Sequence, residues 1–314
     1  MKDDLAKALK AFGATTPRFI SQSENAVYEV DLHGKQAVLR LHRPGYQGPR
    51  EIWSEMWWLD ALDDAGVPVP APHVAKDGTR LVTLPSGRLA SMVSWVKGAP
   101  MGEKGSALAG SQADQVSVFH NIGQTLAHLH NVTDTLTLPS QFIRHAWDVD
   151  GLMGETPFWG PFWQNPTLTP QERALILLAR DTARTRLDAF RGDGGDFGLI
   201  HADAIRSNVF VDGSNITLID FDDAGFGFRL YDLAVLMTQN EGLKNTAELQ
   251  AAAIRGYRSK RALPERAVSL IPLLVMARRL ASMGWIVPRS EPGDPRRRQY
   301  AESALIAAER FLMA

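Results

Sequence analysis

The stretch LIHADAIRSNVFVD, Leu199 to Asp212, sets His201, Asp203, Arg206, Ser207 and Asn208 between two apolar runs. A strand-turn-strand connection needs only a few polar turn residues. A single Asp or Asn in a loop is ordinarily a turn former that bonds its own backbone. Here the polar residues are ordered: His-x-Asp, then Asn five positions after the Asp. Twelve residues after Asn208, in NITLIDFDDAGFG, comes Asp220. The alternation through Ile216, Thr217, Leu218 and Ile219 predicts a strand, with Asp220 where it ends. A carboxylate, an amide oxygen and a second carboxylate therefore emerge from neighbouring strand ends. Such oxygen ligands suit Mg²⁺, which keeps several waters and takes few protein ligands beside substrate phosphates.

The rest of the chain is that of an ordinary globular protein. It has 314 residues, 45% hydrophobic and 22% charged. That length implies one bilobal unit or two domains. A net charge of -1 gives no ground for a nucleic-acid or membrane partner. The absence of cysteine excludes disulfides, thiolate metal sites and thiol nucleophiles, and fits a reducing compartment. The opening MKDDLAKALKAFGATTP is charged too early for a signal peptide. No uninterrupted apolar run approaches the ~20 residues of a membrane span. The expected location is cytoplasmic.

The first third reads as β-rich. Val27–Leu32 and Ala37–Leu41 alternate around HGKQ and predict a hairpin. A helix is expected over about Glu51–Ala65, ended by Gly66 and the prolines at 68, 70 and 72. RLVTL and RLASMVSWV are two further strands, and KGAPMG is a turn-rich joint. Beyond it the periodicity is helical. Val118, Ile122, Leu126 and Leu129 mark one buried helix face. Trp147 to Pro170 reads as an irregular loop, and most of the chain after Asp220 as helices.

HADAIRSN followed by IDFDDAGFG resembles the H-x-D-x-x-x-x-N catalytic loop and D-F-G segment of eukaryotic-like kinases. The chain is most similar to the aminoglycoside phosphotransferase and choline kinase branch, through IDFDDAGFGFRLYDLAVL. Within it, LRLHRPGYQGPREIWSEMWWL and RHAWDVDGLMGETPFWGPFW look like the stress-response-kinase and homoserine kinase type II-like phosphotransferases. The resemblance runs from about Ser21 to Arg279. It implies an α+β, bilobal protein-kinase-like fold. Residues 1–94 would form a small β-rich N-lobe that covers the nucleotide. Residues 95–314 would form a larger, mostly helical C-lobe with the catalytic loop and the metal and acceptor sites.

The resemblance also implies roles. Asp203 would orient the acceptor hydroxyl and accept its proton, and His201 would brace the loop. Asn208 and Asp220 would hold Mg²⁺ across the ATP phosphates. Asp222 is placed on the acceptor side, and Asp232 under the catalytic loop. Val38 would cover the adenine, and Arg40 stands where the family has Lys. Its partner is legible from periodicity. Glu55 falls inside the apolar stripe Ile52, Met56, Leu59 and Leu62, where a carboxylate must be paired. Ser23 and Asn25, in the glycine-free SQSENA, would bond phosphates. Ser94, Trp95 and Val96 would form the hinge that takes the adenine. His128 and His130 read as surface or capping residues.

The reading that results is an ATP- and Mg²⁺-dependent phosphotransferase acting on a hydroxyl. The acceptor is a small molecule or a protein Ser/Thr, with an aminoglycoside less favoured because dense acidic runs are lacking. The alternative is a nucleotide-binding pseudokinase scaffold, motivated by Arg40 and the glycine-free loop.

Overall fold

The structure is a computed structural model and describes residues 2–22 and 25–313. The chain divides into two compact units. The first takes Met1–Pro100, Thr135–Arg144 and Phe210–Asp222; the second takes Met101–Asp134, His145–Val209 and Asp223–Ala314. The first unit thus extends past the expected boundary at 94 and is discontinuous. The reason is pairing: Ala99–Pro100 lies antiparallel beside Val209–Asp212, which also pairs with Asn215–Leu218.

In the first unit, antiparallel strands run in the order Thr15–Gln22, Ala26–Leu32, Lys35–Leu41, Leu89–Ser94 and Pro72–His73. The predicted hairpin is present. His33 and Gly34 close it with φ of 55° and 80°, the positive values that a tight two-residue turn between twisted strands requires. Ala37, Leu39 and Leu41 are buried in a core with Ala8 and Phe12. Strand alternation therefore turns Val38 and Arg40 to the opposite face. Ala8 and Phe12 belong to a helix, Lys2–Phe12, in a region read as β-rich. The expected helix after the hairpin spans Pro49–Asp64 and buries Ile52, Glu55, Met56, Leu59 and Leu62.

The second unit is mainly helical. Its long helices are Gln112–Thr135, Pro170–Gly192, Thr246–Arg258, Ile271–Trp285 and Pro295–Met313. Pro170–Gly192 starts with a capping box in which Thr169 and Glu172 satisfy each other's backbone N–H. Gln112–Thr135 and Thr246–Arg258 cross at glycines. A Cβ on Gly123 would lie 2.0 Å from the Ala253 carbonyl, and one on Gly256 1.9 Å from the His120 carbonyl. That close approach sets His130 against Tyr257. Among the described residues, Glu265–Trp285 is long and apolar enough to cross a membrane, but 72% of its apolar window is buried inside the protein. It is built as a core helix, interrupted by Arg278 and Arg279.

Candidate active site

The opening motif lies in the second unit as far as Val209. The strand Phe197–Ile200 ends where the loop begins, and a short 3-10 turn, Arg206–Asn208, ends it. The loop's backbone is held from below. Asp232, at the start of the helix Leu230–Thr238, accepts from the His201 N–H at 2.9 Å and the Ala202 N–H at 2.6 Å. The same carboxylate meets His130 Nε2 at 3.0 Å, and His130 Nδ1 meets the Tyr257 hydroxyl at 2.9 Å. Burial alone would raise the Asp232 carboxyl, but the hydrogen bonds and nearby histidines hold it below the usual carboxylate range. His130 is fully buried, so the surface reading of it is corrected. The signal was present: His130 lies four residues after Leu126, on the buried stripe of its helix.

The loop's own contacts orient its chemistry. His201 Nδ1 accepts from the Asp203 N–H at 3.2 Å. Asn208 Nδ2 donates to the Asp203 carbonyl at 3.0 Å and to Asp203 Oδ2 at 2.7 Å. Asp203 Oδ1 is paired with Arg278. Burial pushes the Asp203 carboxyl up to about 7, although Arg278 pulls the other way. Asp223 is the next carboxylate that Asp203 feels. Trp159 Nε1 donates to Asp223 Oδ1 at 3.3 Å, and the Asp223 carbonyl accepts from His145 and Trp147. The Tyr231 hydroxyl lies by Arg278, fully buried.

The first unit holds the other predicted residues. Arg40 Nη2 lies 2.8 Å from Glu55 Oε1, with side chains 9% and 0% exposed. Burial alone would lower the Arg40 pKa, but Glu55, Asp222 and Asp220 together hold it above its usual value. Asp220 is exposed and has φ of +64°, a left-handed conformation that Asp tolerates better than most residues. Asn25 donates to Asp222 Oδ2 at 2.8 Å and accepts from the Arg43 N–H at 3.2 Å. Its amide is thus engaged within the protein. Asp222 is buried with Asn25 and close enough to Arg40 to raise its pKa, while Asp223 is the carboxylate that raises Asp203. The chain reverses at Asp220, so strand alternation does not carry through to the next two residues.

Val38 is half-buried and pairs in register with Val93. The Ser94 N–H donates to the Ala71 carbonyl at 2.8 Å and its hydroxyl accepts from the Ala71 N–H at 2.9 Å. Trp95 and Val96 follow it, half-buried and outside any strand. Ser23 lies outside the described residues.

A family model described as the phosphotransferase enzyme family matches residues 15–268. The chain belongs to that family. As a member it is a kinase of protein-kinase-like fold, transferring a phosphoryl group to an alcohol. A solved structure of a microcompartment-associated aminopropanol kinase is 33% identical, with a TM-score of 0.85, over 98% of this chain and 97% of that one. A homoserine kinase of Pseudomonas aeruginosa strain LESB58 is 32% identical over 71% of this chain and 63% of its own length. Amicoumacin kinase of Bacillus subtilis strain 168 is 22% identical over 89% of this chain and 82% of its own.

Sequence reasoning on this phosphotransferase missed Arg278, Trp159 and Tyr231. For Arg278 a signal exists. It lies four residues after Leu274 and three before Ala281, on the buried face of an apolar helix.

Proposed function

We propose that this phosphotransferase moves the γ-phosphoryl group of ATP to the hydroxyl of a small amine-bearing alcohol, with Mg²⁺ as the divalent cation. One observation carries the acceptor reading. Asp203, gripped by Asn208 and Arg278, has a second half-buried carboxylate, Asp223, close enough to raise its pKa. Asp203 would take the hydroxyl and Asp223 the ammonium, in a charge-assisted hydrogen bond. The names of the relatives favour the same class, since aminopropanol and homoserine each carry an amine and a hydroxyl. They favour a small molecule over a protein Ser/Thr.

Asn208 and Asp220 suit a hard cation. The Asn208 nitrogen is held by Asp203, and among the described residues its oxygen takes only a long 3.4 Å contact from the Ser207 hydroxyl. Asp220 offers an exposed carboxylate. When bound, the cation neutralises charge on the ATP phosphates. Arg40, fixed by Glu55, would meet those phosphates, Val38 would cover the adenine, and Trp95 and Val96 would supply the hinge contacts. Asp222 and Asn25 would shape the phosphate end through their mutual hydrogen bond rather than meet the acceptor. His201 would keep the Asp203 backbone in place.

The test is an ATP-consumption screen over amino alcohols, plain alcohols, sugars, aminoglycosides and Ser/Thr peptides, with Asp203→Ala as the blank. Turnover on amino alcohols above the plain alcohols supports the proposal. Turnover confined to peptides, or equal on alcohols without an amine, overturns it.

A further inference from the structure

We propose that Arg278 is a positioning residue for the Asp203 carboxylate, and that the Trp159 ring holds Arg278 in place. The inference rests on the reading of Asp203 as the acceptor-facing base.

Arg278 stands on the helix Ile271–Trp285, whose Leu274, Val275, Ala277, Leu280 and Ala281 are all buried. A guanidinium in such surroundings is costly unless it is paired. Here it is engaged on two sides. Its Nη2 meets Asp203 Oδ1, and its Cζ lies over the Trp159 ring, 4.2 Å from the ring centre. A planar, delocalised cation can stack and donate at once, which an ammonium cannot do as well.

The consequence for Asp203 is geometric. Its two oxygens are gripped from different elements: Oδ1 by Arg278 on the core helix, Oδ2 by Asn208 on the loop. With one grip the carboxylate plane could turn about its last torsion. With two it is fixed. Each oxygen keeps a further lone pair, so an acceptor hydroxyl can still bind. Phosphoryl transfer through a loose transition state asks more of the base in position than in strength. A cation beside the base is therefore compatible with catalysis.

The support continues one layer out. A Cβ on Gly284 would lie 2.8 Å from the Gly160 carbonyl and 3.0 Å from the Trp159 carbonyl. The bare helix surface at Gly284 thus lets the Trp159–Gly160 segment pack onto the helix that carries Arg278. Trp147 meets the Trp159 ring edge-on at 5.0 Å. The stack under the guanidinium is therefore itself rigid.

The experiment measures kcat and the KM for ATP, with aminopropanol as the first acceptor, for wild type, Asp203→Ala, Arg278→Ala, Arg278→Lys and Trp159→Leu. A misplacement of about 1 Å costs on the order of 10²-fold in rate. Arg278→Ala should lose about that much kcat, with the KM for ATP within about threefold. Arg278→Lys should recover part of the loss, and millimolar guanidinium chloride should restore Arg278→Ala but not Asp203→Ala. Trp159→Leu should lower kcat less than Arg278→Ala, and it carries the test if Arg278→Ala does not fold. A folded Arg278→Ala or Trp159→Leu with wild-type kcat overturns the inference, as does a loss seen only in the KM for ATP. If Asp203→Ala itself keeps wild-type activity, the underlying reading fails instead.

Discussion

Removing Arg40 should damage the protein more than removing Glu55, although the two form one pair. Their 2.8 Å contact corresponds to a Coulomb attraction of about 6 kcal/mol at an effective dielectric of ~20, much of it offset by desolvation. The neighbours break the symmetry. Arg40→Met leaves Glu55 fully buried, without its cation and with Asp220 and Asp222 in the vicinity. A buried charge stripped of its partner costs about 3–5 kcal/mol. Glu55→Leu leaves Arg40 with two carboxylates still beside it, and should cost about 1–3 kcal/mol. The double variant strands neither charge. It should be more stable than Arg40→Met alone, with a coupling of about 2–3 kcal/mol. Urea unfolding of the four proteins at fixed salt, followed by tryptophan fluorescence, measures this. Additive losses, or a greater loss for Glu55→Leu than for Arg40→Met, would refute the pairing as described.

Two further outcomes follow from single residues. Burial, with Arg40 nearby, lowers the His42 pKa from 6.5 to about 3, while its Nε2 meets the Ser91 hydroxyl at 2.8 Å. The unfolded chain then binds the proton first, so this group's contribution is complete above pH 6.5 and falls as the pH drops towards 3. The slope is up to about 1.4 kcal/mol per pH unit. His42→Gln should flatten the stability profile between about pH 6.5 and 5, and an unchanged slope would count against it. Ala202, fully buried, has φ of +62°, a left-handed conformation that favours glycine. Ala202→Gly should remove strain of about 1 kcal/mol, less the entropy that Gly adds to the unfolded chain. It should raise or preserve the melting temperature with activity kept; a clear fall would show that the left-handed turn is not strained.

What the sequence made legible depended on the range of the signal. Asp203, Asn208 and Asp220 could be singled out because their spacing is local, in loops that adjoin short strands. Arg40 and Glu55 could be paired because strand alternation and helical period each select one face. The amphipathic helix Lys2–Phe12 was readable too, from Leu5, Ala8, Leu9 and Phe12, but the strands after it coloured the region. Other features depend on contacts across long stretches of chain. His130 meets Asp232 102 positions away, and Arg278 meets Asp203 75 positions away. No periodicity names such partners. The partners of Asp222 and Asp223 lie just past the left-handed turn at Asp220, which side-chain alternation cannot anticipate. The bond from the Ser94 N–H to the Ala71 carbonyl is set by sheet topology in the same way.

The central claim is that Asp203 faces the acceptor while other residues bind the nucleotide. Its most direct test measures phosphoryl transfer and Mg-ATP affinity together for Asp203→Ala. The account predicts that kcat falls by at least about 10²-fold, as expected for losing a general base, while the dissociation constant for Mg-ATP stays near that of wild type. Retained turnover, or affinity lost in step with activity, would contradict it.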